Sequence, residues 1–163
     1  MFTRIRYKVP DSIQYISISP LVEENLNNYI QIASQPESGG LLFAEFKLPE
    51  IHIADISVPY ENDIKRMFLF IPDQKHQQHV IKKKFQKGLH FVGEWHTHPQ
   101  NHPEPSQLDI YSMRDSFRSS SHELNYFIML ILGNTKDFDR SWVSIHNGET
   151  YIKLEPERKV MYE

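Results

Sequence analysis

Short runs of alternating apolar and polar residues recur along the chain, broken by three stretches whose apolar positions fall closer to helical spacing. IQYISIS alternates as a strand does. Ser19-Pro20 then opens a helix read to about Ala33, with Glu23 and Glu24 near the first turn and Leu21, Leu26, Ile30 and Ala33 nearly in register. SQPESGG breaks that pattern, and GGLLFAEFKL and IHIADISVPY, joined by a short Pro-Glu turn, predict a hairpin. MFLFIP adds a short strand. DQKHQQHVIKKKFQKG reads as a second helix, capped by Asp73 and stopped at Gly88. LHFVGEWHTH follows as a strand, PQNHPEP as a loop and SQLDIYSMRDSF as a third helix. NYFIMLILGN is apolar for long enough to be a central strand covered on both faces. SWVSIHNGETYIKL closes as a hairpin about Asn147-Gly148, a strong turn pair. This order of elements predicts an α/β (α+β) architecture, a mixed sheet flanked by about three helices.

Composition narrows the function classes. The 163 residues, 39% apolar and 12% aromatic, suit one domain spanning residues 1–163 with a real core. Lys and Arg total 18 against 21 Asp and Glu, so the net charge of -3 offers no footprint for nucleic acid or an anionic membrane, and neither is expected as a partner. Cysteine is absent, so any metal ligand must be nitrogen or oxygen. The first residues, MFTRIRYKVPDSIQ, alternate charged with apolar and contain no continuous apolar stretch. Neither a signal peptide nor a spanning helix is expected, and a cytoplasmic location follows.

The chemistry concentrates in GEWHTHPQNHPEPSQLD, which spells His-x-His-x7-Ser-x-x-Asp through His96, His98, Ser106 and Asp109. Two residues apart on a strand, the imidazoles project from one face while Trp95 and Thr97 point the other way. Ser106 opens the third helix, and Asp109, three residues on, lies near the same face. Strand end, loop and helix start therefore converge. Two neutral imidazoles and a carboxylate suit one zinc ion and leave the fourth tetrahedral position to water, the arrangement of a hydrolytic rather than a structural site.

This motif resembles the signature of the JAMM (JAB/MPN) zinc metallopeptidases, His-x-His-Pro-x6-Ser-x-x-Asp with an upstream glutamate. His96, His98, Pro99, Ser106 and Asp109 meet every fixed position. PESGGLLFAE, after the first helix, resembles the setting of the family glutamate, which makes Glu37 the match, and Ala44 departs from the glycine common in that stretch. The resemblance implies a cytidine-deaminase-like JAB/MPN fold, with zinc held by His96, His98 and Asp109. It implies Glu37 as general base and then acid, and Ser106 as oxyanion donor. GEWHTHP is most similar to stand-alone bacterial JAMM proteins of antiphage (CBASS-type) operons. That implies an isopeptidase cutting after the C-terminus of a ubiquitin-like protein, or of an enzyme conjugated in the same manner. The implied partners are a nucleotidyltransferase and an E1/E2-like enzyme of the same operon.

The remaining polar residues were weighed against ordinary solvation. Glu24 and Glu45 are the fallback bases. His102 reads as a solvated loop residue and stays outside the metal set. Glu94, two residues before His96 on the same strand face, is read as able to orient an imidazole. His76 and His79 stand at helical i, i+3 spacing without an acidic partner, and Lys82, Lys83, Lys84 and Lys87 read as a wet helix face in an acidic chain. Trp95, Phe91 and Val92 read as core. Three rival functions remain: an amidase or peptidase on a small-molecule or sulfur-carrier substrate, a non-catalytic MPN interaction module, and the RadC branch, whose usual N-terminal helical region has no room before Ser19.

Overall fold

The computed structural model describes residues 1–32 and 34–162. The strands are β1 (Phe2–Lys8), β2 (Tyr15–Ile18), β3 (Gly39–Lys47), β4 (Glu50–Ile56), β5 (Ile64–Arg66), β6 (Leu69–Ile71), β7 (His90–Thr97), β8 (Phe127–Leu132), β9 (Trp142–His146), β10 (Tyr151–Lys153) and β11 (Pro156–Met161). The helices are α1 (Pro20–Asn27), α2 (Gln74–Phe85) and α3 (Gln107–Ser119). Among the described residues nine strands form one mixed sheet in the order β10-β9-β8-β7-β3-β4-β2-β1-β11, and β5 and β6 form a separate ribbon. Among the described residues only β7 with β8 and β2 with β4 pair in parallel.

β8 organises the interior. All six of its residues are buried, because Ile128, Leu130 and Leu132 face one core while Phe127, Met129 and Ile131 face another. The first core joins them to Ile5, Tyr7, Ile16, Ile18, Leu42, Ile53 and Trp95 across the sheet. The second lies under α3, where Met113 and the rings of Phe91, Phe117 and Trp142 pack on β8. At roughly 1.5–3 kcal/mol per fully buried large apolar side chain, these strands hold the sheet together. β7 approaches β8 closely: a Cβ added at Gly93 would lie 1.9 Å from the Ile128 carbonyl oxygen.

Several elements differ from the sequence reading. α1 stops at Asn27; its buried positions are Val22 and Leu26, while Leu21 is exposed. Asn27 and Asn28 are weak helix formers. Tyr29 then leaves the helix to set its ring 5.5 Å from that of Trp95. The expected continuation to Ala33 ends on a residue outside the described ones. MFLFIP does supply a strand, β6, but it pairs with β5 rather than joining the main sheet. β1 and β11 appear where no strand was expected. β1 buries Ile5 and Tyr7 beneath a charged outer face, and β11 is a charged edge strand held by its ladder to β1, as edges protected against further pairing often are.

The punctuation follows local chemistry. Asp73 accepts the His76 N–H at 2.9 Å and starts α2, and Gly88 at φ 79 lets the chain turn into β7. Asn147 accepts the N–H groups of Glu149 and Thr150 at 3.0 and 2.8 Å, closing the β9–β10 hairpin, with Gly148 at φ 88.

Candidate metal centre

Two edges of the fold bring the motif together. β3 and β7 pair antiparallel with Gly39 opposite His96. The pairing continues past the strand ends, because Thr97 N–H donates to the Ser38 carbonyl at 2.9 Å and Ser38 N–H donates to the Thr97 hydroxyl at 2.9 Å. Extended by one more step, the same register sets Glu37 opposite His98. Directly opposed residues of an antiparallel pair share a face, so Glu37 is delivered to the face that carries His96 and His98. Its ligand oxygen and those two imidazoles lie within 4.8 Å of one another. Trp95 and Thr97 point inward and are fully buried, and the Trp95 indole donates to the Ser57 carbonyl at 2.9 Å.

The other edge is the start of α3. Ser106 caps it in a reciprocal box: Asp109 N–H donates to Ser106 Oγ at 3.0 Å, and Ser106 N–H donates to Asp109 Oδ2 at 2.9 Å. That box aims Asp109 Oδ2 at the strand. It lies 3.3 Å from His96 Nε2 and 3.2 Å from His98 Nε2, and the two Nε2 atoms are 3.2 Å apart. Zinc bonds of about 2.0–2.1 Å at tetrahedral angles require donor separations of about 3.3–3.4 Å, so the three atoms fit one zinc with a fourth direction free. His98 Nδ1 stands 3.3 Å from Gln100 Oε1; a proton held there leaves Nε2 with its lone pair toward the metal position.

The electrostatics match the geometry. Burial works against the Asp109 carboxylate, but the imidazoles of His96 and His98 and the Ser106 N–H outweigh it and hold its pKa well below the usual range. Burial also opposes charge on His98, yet Asp109 and Glu37 raise its pKa overall. Glu37, 4% exposed, is pushed up to about 7 by loss of solvent, which outweighs the opposing pull of His98, with Asp109 adding a smaller push upward. Glu94 rises to about 7 for the same first reason, with Asp109 adding to it. No hydrogen bond joins Glu94 to either imidazole among the described residues, so it does not orient the rings directly.

The other weighed residues lie elsewhere. His102 is exposed. Glu24 is exposed, and Glu45 pairs with Lys47 at 3.1 Å. His76 stacks on Tyr60 with centroids 3.8 Å apart, while His79 is exposed. Lys84 reaches Asp55 rather than a free surface. Sequence reasoning assigned no role to Gln100, because an amide in a polar loop leaves no periodic trace. Its offset of two from His98 is the signal that could have found it.

A family model described as prokaryotic homologs of the JAB domain matches residues 25–145. A protein of Vibrio cholerae serotype O1 named CD-NTase/cGAS isopeptidase is 36% identical over 106 residues, which is 63% of this chain and 65% of that one, so the match spans just under two thirds of the relative's length. An Escherichia coli protein of the same name is 33% identical over 108 residues, 64% of this chain and 69% of that one. In fold, the chain is similar to a solution structure from Desulfitobacterium hafniense with a TM-score of 0.61 at 16% identity, over 86% of this chain and 90% of the other.

Proposed function

Because the chain belongs to the prokaryotic JAB-domain family, we propose that it is a zinc-dependent isopeptidase. It would hydrolyse the bond after the C-terminus of a protein attached to a lysine amine in a ubiquitin-like manner. The observation that carries this reading is the triangle of His96 Nε2, His98 Nε2 and Asp109 Oδ2, with sides of 3.2, 3.2 and 3.3 Å, beside the buried carboxyl of Glu37.

His96, His98 and Asp109 would hold the ion. When bound, zinc supplies Lewis acidity and a water whose pKa is lowered to about 7. Glu37 accepts a proton from the attacking water and delivers it to the departing lysine nitrogen, so the amide bond breaks to a carboxylic acid and an amine without net proton change. A buried carboxyl beside the metal position can both take up and return that proton. Ser106 Oγ already accepts the Asp109 N–H, which leaves its own hydrogen free to donate to the oxyanion that develops at the scissile carbonyl.

The curated relatives are named for acting on a CD-NTase or cGAS enzyme. The natural substrate proposed for this chain is accordingly a nucleotidyltransferase conjugated through its own C-terminus by an E1/E2-like enzyme. Its tail would lie extended beside the site and be read mainly through main-chain hydrogen bonds. Among the described residues no helix is long and apolar enough to cross a membrane.

The test is a fusion of such a C-terminal tail to a reporter. Wild-type protein with one zinc cleaves it, chelation stops cleavage and added zinc restores it. A Glu37→Ala protein binds zinc but does not cut. Cleavage that continues undiminished in thoroughly metal-free protein would overturn the mechanism.

A further inference from the structure

Gln31 lies in the irregular segment between α1 and β3, yet it is only 1% exposed. Its carboxamide is in use at both ends. Nε2 donates to the Gln35 carbonyl at 2.8 Å and to the Met67 carbonyl at 2.8 Å, and Oε1 accepts from the Thr97 hydroxyl at 3.4 Å. The amide assignment follows from the partners, since two carbonyls can only be met by the NH2 group.

These bonds reach three separate parts of the chain. Gln35 precedes Glu37 by two residues. Met67 sits in the turn between β5 and β6, and the neighbouring Arg66 carbonyl takes the Glu37 N–H at 2.6 Å. Thr97 stands between His96 and His98, and its hydroxyl also receives the Ser38 N–H. Glu37 is therefore held from both sides, by the ribbon through Arg66 and by the ligand strand through Ser38. Among the described residues, Gln31 is the one side chain bonded to the segment before Glu37, to the ribbon and to the ligand strand at once.

We propose that Gln31 is a positioning residue for the reaction, fixing the Glu37 carboxyl relative to the metal ligands while touching neither substrate nor metal. This rests on the zinc isopeptidase reading. A displacement of about 1 Å at a reacting group costs on the order of 100-fold in rate, so a buried clamp of this kind acts on turnover.

The experiment compares wild type, Gln31→Met and Thr97→Val on the reporter fusion. Both substitutions keep side-chain bulk; Thr97→Val breaks the clamp from its opposite end but also removes the acceptor of the Ser38 N–H, so Gln31→Leu stands in for Gln31→Met if that variant does not fold. Folded variants are expected to bind one zinc and, loaded with cobalt(II), to keep the wild-type visible spectrum. Their kcat is expected to fall roughly 10–100-fold while KM holds. Folded variants with wild-type kcat would overturn the role, as would a kcat loss accompanied by an altered cobalt spectrum, which would place the damage in the metal ligands. A wild-type chain that does not cleave would sink the functional reading itself, an outcome distinct from an active wild type beside undamaged variants.

Discussion

Replacing Glu37 with glutamine is expected to stabilise the metal-free protein at the pH where it abolishes cleavage. Glu37 is 4% exposed, and its side chain makes no hydrogen bond among the described residues, so its carboxyl moves from 4.5 to about 7 on folding, chiefly through loss of solvent. In the window between those values the folded chain keeps a proton that the unfolded chain has released. Stability therefore falls as pH rises through the window, by at most about 3 kcal/mol at roughly 1.4 kcal/mol per pKa unit. Glutamine has the same shape and does not titrate. Whatever its own burial costs is constant with pH and cancels when the two proteins are compared at pH 4.5 and at pH 8. The assay is urea unfolding of chelated wild type and Glu37→Gln across that range. The variant is expected to gain up to about 3 kcal/mol on the wild type as pH rises, equivalent to roughly 6–12 °C in Tm for a chain of this size. Adding zinc should shrink the gain, because a dication beside the carboxyl favours its ionised form. Parallel pH–stability curves for the two chelated proteins would refute the reasoning. The expected result would place Glu37, the proposed general base, among sites that exchange stability for activity.

His146 works in the opposite sense. It is 3% exposed, bonded to Ser144 Oγ at 2.8 Å, and pushed down to about 4 by burial, so the unfolded state takes up the proton first and stability is lost as pH falls from 6.5 toward 4. His146→Gln should remove a loss of up to about 3 kcal/mol over that window, and unchanged acid sensitivity in urea titrations would count against the assignment. Ser106 carries two roles that separate by substitution. Ser106→Ala should cost about 1 kcal/mol of stability and Ser106→Gly only a few tenths. Both should lose about 10² to 10³ in kcat, and a Gly variant with wild-type turnover would leave Ser106 as a cap alone. Gly93→Ala drives a methyl group into the Ile128 carbonyl, backbone against backbone in the interior, and should cost about 3 kcal/mol or more in urea unfolding. A cost below about 1 kcal/mol would mean that β7 and β8 can move apart.

The metal triangle was legible because its parts are local. His96 and His98 share a face by the period of a strand, and Ser106 and Asp109 are tied by a capping box four residues long. Glu37 was reached only through family resemblance, since a glutamate in a polar turn leaves no pattern of its own. What carries it to the histidines is the register of β3 on β7, a contact between residues some 60 positions apart in sequence. Gln31 left no trace at all, because a buried glutamine in an irregular segment has neither periodicity nor spacing.

The same division runs through the fold. Local periodicity and capping determined the core strands other than β1, the starts of all three helices and the closing hairpin, since each rests on residues that interact within one or two turns. Pairing decided the rest. The charged sequence of β11 becomes a strand because β1 offers it a ladder, β5 and β6 pair with each other rather than with the main sheet, and the chain leaves α1 before Tyr29, whose ring lies against that of Trp95. Chemistry confined to a few neighbouring residues is written in the chain, whereas contacts whose partners lie far along it exist only once the backbone has closed around them.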